Sequence, residues 1–123
     1  MTQLIAVVDD DASAREATAG LVKAFGYVVA VFECGRGFLR STENGSAACL
    51  IADMRMPRMS GLELFLALVA AGRPIPTILT TAYPDDATRR RALQAGVAAF
   101  LAKPLDSELL LTCLRKAVGT AGG

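Results

Sequence analysis

The chemistry the chain offers first is a crowd of like charges. In "VVDDDASAR", Val7 to Arg15, three carboxylates, Asp9, Asp10 and Asp11, follow directly on an apolar run. Two ionised carboxylates about 4 Å apart repel by about 4 kcal/mol at an effective dielectric of about 20. Such crowding is sustained by full solvation in a loop, by a raised pKa on one member, or by a bound divalent cation. Polar or charged residues close other apolar runs as well: Asp53 follows "ACLIA", Thr81 ends "TILTT", and Lys103 with Pro104 follows "AAFLA". One such residue is ordinary, because every strand must end. Three carboxylates, a hydroxyl and an ammonium make a set.

The composition narrows what that set can do. The chain contains no histidine, so Ser-His-Asp and Cys-His nucleophiles and zinc-hydrolase sites built on His ligands are excluded. Any catalysis must use carboxylates, lysine or hydroxyls. Thirteen basic and twelve acidic residues give a net charge of +1, so no global field argues for nucleic acid or an anionic membrane as the main partner. The three cysteines, Cys34, Cys49 and Cys113, form no C-x-x-C and are read as reduced, mostly buried thiols. No signal-peptide pattern opens the chain and no apolar run approaches the ~20 residues of a membrane span, so a cytoplasmic location without membrane contact is expected.

With 123 residues, 53% of them hydrophobic, the chain suits one domain over 1–123, with a core of about 3–118 and a flexible tail at 119–123. Short apolar runs suited to strands are Leu4 to Val8, Tyr27 to Phe32, Ala48 to Ala52, Thr77 to Thr81 and Ala98 to Ala102. Between them lie helical spacings: Ala14, Ala17, Leu21, Ala24 and Phe25; Leu62, Phe65, Leu66 and Val69; Leu109, Leu110, Cys113, Leu114 and Ala117. Shorter helices are expected over Gly35 to Arg40 and over Asp86 to Ala95, the latter closed by Gly96. A (βα) pattern repeated five times implies a parallel sheet covered on both faces, a three-layer α/β/α domain. Such units most often adopt the flavodoxin-like strand order 2-1-3-4-5, with ligands at the carboxyl ends of the strands. Asp11 is read as a solvated loop carboxylate or a contributor to the first helix's N-terminus.

The pieces "VVDDD", "IADMRMPRMSGLEL", "ILTTAY" and "FLAKPL", in that order and each at a strand end, resemble the receiver domain of two-component response regulators over residues 3 to 118. The resemblance implies the (βα)5 fold with the 2-1-3-4-5 order. It also implies that Asp53 accepts a phosphoryl group from a sensor histidine kinase. Asp10 and Asp53 would hold Mg²⁺ or Mn²⁺ with the backbone carbonyl of Arg55, and Asp9 would act through a water. Lys103 would pair with a phosphoryl oxygen, reached through a cis Lys103–Pro104 bond. Thr81 and Phe100 would be the switch residues, and a surface including Arg89, Arg90, Arg91, Phe100, Asp106 and Glu108 would form a phosphorylation-promoted homodimer. Arg55 and Tyr83 stand where water reaches the acyl phosphate, and Tyr83 is expected to slow its loss. "DMRMP" and "AYPDDATRRRALQAG" look like receivers that precede a helix-turn-helix output domain, so DNA would be met only through an effector absent from this chain.

Two other readings compete. Asp9, followed at a spacing of two by Asp11, fits the nucleophile and acid of a haloacid-dehalogenase-type phosphatase, although 123 residues is short for that fold. A phosphorylation-independent docking module is the other. Met54, Met56 and Met59 are expected to pack the loop after Asp53. The two glycines of "CGRGF" should leave the second helix short or mobile.

Overall fold

Short apolar runs too brief for helices form five parallel strands, β1 Leu4–Val8, β2 Val28–Phe32, β3 Cys49–Asp53, β4 Thr77–Thr81 and β5 Ala99–Ala102, in the order β2-β1-β3-β4-β5. The computed structural model describes residues 3–119, without the side chains of residues 43 and 44. The expected tail beyond Gly119 lies outside the described residues. Helices α1 Ala12–Ala24, α2 Gly35–Arg40, α3 Gly61–Ala70, α4 Asp86–Ala95 and α5 Ser107–Val118 connect and follow the strands. Among the described residues, no helix is long and apolar enough to cross a membrane.

Alternation along the strands splits the core in two. Ile5, Val7, Ile51 and Ile78 face α1 and α5, meeting Val22, Leu110 and Leu114. Ala6, Val8, Leu50 and Leu79 face the other layer, meeting Phe38, Leu64, Phe65, Leu68 and Ala92. The central strands β3 and β4 are buried along their whole length, so neither presents a solvent face, and the buried Thr77 hydroxyl of β4 donates to the Ile75 carbonyl at 2.8 Å. At the β2 edge Val28 and Val31 stay about half exposed.

The helix ends follow local rules. Asp11, Asp85 and Asp106 cap α1, α4 and α5, and Ser60 with Glu63 forms a reciprocal capping box on α3. Gly96 ends α4 at φ +111°, a conformation in which a side chain would strain the backbone. The glycine-containing α2 is six residues long.

Some expectations need correction. In α3, Leu66 and Val69 face solvent, whereas Leu64 and Leu68 are buried. "GLELFLALVA" is apolar nearly all round, so its spacing alone selects no face. In α1 the buried side chains are Thr18, Ala19 and Val22 rather than Ala17 and Ala24, because alanine fits either face. In α5, Leu109 is half exposed beside buried Leu110. Of the thiols only Cys49 is buried; Cys113 is intermediate, and Cys34 is exposed, its Sγ accepting the Gly37 N–H at the start of α2. Burial pushes the Cys49 thiol up to about 12.

Candidate functional site

Strand register brings the polar residues of the sequence to one edge of the sheet. Asp53 pairs with Thr80 at the end of β3, and Thr81 pairs with Ala102, one residue before Lys103. Asp9 follows Val8, which lies opposite both Phe32 and Ala52. A further backbone bond, from the Lys103 N–H to the Thr81 carbonyl at 2.8 Å, ties the β5 end to β4. The Lys103–Pro104 peptide bond is cis, as the resemblance implied.

Asp9 is buried and held on both carboxylate oxygens. Oδ1 accepts the Asp11 N–H at 3.0 Å, and Oδ2 accepts from Lys103 Nζ at 2.8 Å. The same ammonium lies 3.5 Å from Asp53 Oδ1. Oxygens of Asp9, Asp10 and Asp53 all lie within 4.8 Å of one another. Asp11 turns aside: its Oδ1 accepts the N–H groups of Ser13 and Ala14 at 2.9 and 3.2 Å, so it serves the helix and not the cluster.

The electrostatics follow from this placement. Burial, and then the negative charge of Asp9, raise the Asp53 carboxyl above its ordinary value; the Lys103 charge and the Arg55 backbone N–H pull in the other direction and do not prevail. Burial alone would lower the Lys103 amine, but its hydrogen bond to Asp9 and the charges of Asp53 and Asp9 outweigh burial and raise it. Lys103 therefore stays an ammonium. Three carboxylates around one ammonium leave the site short of positive charge, and the clustered donors are all oxygen. That is the donor set a hard divalent cation such as Mg²⁺ or Mn²⁺ takes.

Thr81 is buried, and its Oγ1 accepts the Tyr83 N–H at 3.0 Å, which leaves the hydroxyl hydrogen free to donate elsewhere. The Tyr83 ring is 66% exposed, and the Arg55 guanidinium lies 4.9 Å over it. The two residues that the resemblance placed on the approach of water thus form one stack. Phe100 is half-buried against the core layer that contains Leu79, its partner across β4 and β5. Met54, Met56 and Met59 pack on that same layer, as expected.

One positioning residue escaped the sequence reading. A Cβ on Gly61 would lie 2.6 Å from the Asp53 carbonyl oxygen and 2.8 Å from Leu79 Cδ2, so only glycine lets α3 start directly against the backbone of Asp53. The Gly61 N–H donates to the Met54 carbonyl at 3.2 Å and closes the loop. The available signal was a glycine just inside a capped helix, where it costs up to ~1 kcal/mol relative to alanine.

Comparison with known proteins gives a consistent result. Residues 5–115 match the family model described as the response regulator receiver domain. The chain is 36% identical over 118 residues to the response regulator protein TodT of Pseudomonas putida, covering 96% of this chain and 52% of TodT. It is 31% identical over 117 residues to the transcriptional regulatory protein FixJ of Bradyrhizobium diazoefficiens, covering 95% of this chain and 57% of FixJ. A solved structure of the response regulator StyR superposes with a TM-score of 0.86 at 37% identity, over 96% of this chain and 60% of that one. The chain spans about half the length of the curated relatives it matches.

Proposed function

The chain belongs to the response regulator receiver family of two-component signalling, and from that premise we propose that Asp53 is its phospho-acceptor and that modification of Asp53 switches an outer surface. Receiver domains are signalling modules of regulators and generally not classical enzymes. The phosphatase reading built on Asp9 and Asp11 is set aside with the family assignment, and the capping role of Asp11 agrees with that.

The observation that carries the proposal is one ammonium, Lys103 Nζ, between Asp9 and Asp53 beside a cluster of carboxylate oxygens. An Asp53 oxygen attacks the phosphorus of a phosphohistidine on a sensor histidine kinase. The new O–P bond forms as the P–N bond breaks, and the imidazole leaves with a proton. Lys103 then neutralises a phosphoryl oxygen from a position it already holds, so little reorganisation is needed. Asp10, Asp53 and the Arg55 carbonyl would hold Mg²⁺ or Mn²⁺, with Asp9 acting through a water; when bound, the ion supplies countercharge to the transferring oxygens.

The Thr81 hydroxyl donates to the new phosphoryl group and draws the β4–α4 loop inward, and Phe100 follows. The α4–β5–α5 surface, with Arg89, Arg90, Arg91, Asp106 and Glu108, then changes and supports a homodimer. Tyr83, carried by the loop that moves, limits the approach of water and so slows autophosphatase loss. The output is transcriptional, through a DNA-binding domain outside this chain, as the names of the FixJ and TdiR relatives suggest.

Intact-mass measurement after incubation with acetyl phosphate and Mg²⁺ tests the core of this. One phosphoryl adduct is expected, absent from Asp53→Asn. No adduct, or one that survives the substitution, rejects it.

A further inference from the structure

The loops after β3 and β4 and the start of α4 border an open cleft of about 930 Å³, lined in part by Met54, which follows Asp53 in the chain, and by Arg55, Thr81, Tyr83, Asp85 and Arg91. Of these, Asp85 has no part in the steps described above, and Arg91 enters them only as one residue of the outer surface. The three consecutive arginines of α4 divide: Arg89 and Arg90 line a separate recess with Leu93 and Gln94, and only Arg91 faces the cleft. Arg55, stacked over the Tyr83 ring, lines the same cleft. Asp85 also lines the cleft, capping α4 with its carboxylate on the Thr88 N–H and hydroxyl at 2.9 and 2.7 Å. Its carboxyl is held below the ordinary range by those two bonds, and further by the charges of Arg91 and Arg55. Both guanidiniums therefore act on one region of the cleft wall, and two cations against one carboxylate leave that wall net positive.

The charge balance at the nucleophile is the reverse. Asp9, Asp10 and Asp53 present three carboxylates against the Lys103 ammonium. A bound divalent cation and Lys103 would bring that cluster only to about neutrality, so attraction of an anionic phosphodonor from solvent falls to the charges along its route. We propose that Arg91, together with Arg55, forms a cationic entrance that steers small dianionic acyl phosphates to Asp53, with Asp85 tempering its attraction. The proposal rests on the reading of Asp53 as the phospho-acceptor.

In the step it serves, an Asp53 oxygen forms a bond to phosphorus as the bond from phosphorus to the acyl oxygen breaks. The carboxylate leaves as an anion, so no proton, oxidant or reductant is required. Arg91 touches none of the reacting atoms; it is a specificity residue acting through the local field.

The test follows phosphorylation of the full chain in Mg²⁺ by mass spectrometry of quenched samples, for wild type, Arg91→Gln, Arg91→Lys and Asp85→Asn. Acetyl phosphate serves as the dianionic donor and phosphoramidate as the less charged one, each over a range of ionic strength. Arg91→Gln should slow acetyl phosphate by about threefold or more at low salt and leave phosphoramidate nearly unchanged. Arg91→Lys should restore the rate, Asp85→Asn should raise it, and the differences should shrink as salt rises. Equal slowing with both donors, or a rate insensitive to Arg91 or to salt, overturns the steering and leaves the role of Asp53 intact. Failure of the wild type to form an adduct on Asp53 overturns that role and the steering together.

Discussion

Neutralising Asp53 should make the metal-free protein more stable while abolishing its proposed chemistry. Asn is nearly isosteric and can still accept the Arg55 N–H through its amide oxygen, so charge is the main thing removed. At an effective dielectric of about 20, Lys103 Nζ at 3.5 Å attracts the Asp53 carboxylate by about 5 kcal/mol, while Asp9 and Asp10, with oxygens within 4.8 Å, each repel it by at least about 3.5 kcal/mol. Solvent reduces the share of exposed Asp10, so attraction and repulsion roughly cancel and the cost of burying the carboxylate remains. After allowance for screening the variant should gain about 1–2 kcal/mol, or about 3–8 °C in Tm for a domain of this size. The raised Asp53 pKa gives the sign of the pH dependence. The folded chain keeps this proton to higher pH than the unfolded chain, whose carboxyl titrates near 3.8. The stability it contributes is therefore present below that value and lost as pH rises through the folded pKa. The advantage of Asp53→Asn should accordingly be full at neutral pH and fade on acidification. Urea unfolding in EDTA measures it; in millimolar Mg²⁺ wild type should gain more than the variant, because one cluster oxygen loses its charge. A variant less stable than wild type in EDTA would refute the reasoning, since it would mean that the Lys103 pairing outweighs burial and repulsion.

Other expectations follow from single contacts. Gly61→Ala forces a methyl group to 2.6 Å from the Asp53 carbonyl oxygen and should cost about 1–3 kcal/mol in urea unfolding, with weaker Mg²⁺ binding; an unchanged midpoint counts against the close approach. Tyr83→Ala should shorten the lifetime of the phosphorylated form, followed as loss of the mass adduct, and an unchanged lifetime removes Tyr83 from that role. With a thiol reagent at pH 8, exposed Cys34 should react quickly in the native state and Cys49, buried with its pKa at about 12, only after unfolding; early labelling of Cys49 contradicts its burial.

The fold was legible because short apolar runs and amphipathic stretches alternate at spacings that a parallel sheet requires, and the strand limits read from them agree with the structure to within one residue. Which face each helix buries was less legible. Where a helix is apolar all round, as α3 is, the period contains no direction, and only packing against β3 and β4 selects Leu64 and Leu68 over Leu66 and Val69. Gly61 was equally silent, because its role is the space it leaves for a backbone eight positions away.

By itself the sequence determined the chemical inventory: carboxylates at the ends of β1 and β3, a hydroxyl at the end of β4, an ammonium after β5, and no imidazole. Local rules also settled Asp11, whose capping partners are two and three residues away. Only the tertiary structure decided that Lys103 sits between Asp9 and Asp53, since that contact spans 94 positions and depends on the register of four neighbouring strands. The helical period already keeps Arg89, Arg90 and Arg91 off a single face, and the packing of α4 decides that Arg91 is the one that lines the cleft. Local propensity acts over a few residues, whereas the field at Asp53 is the sum of charges that the chain brings together from its whole length.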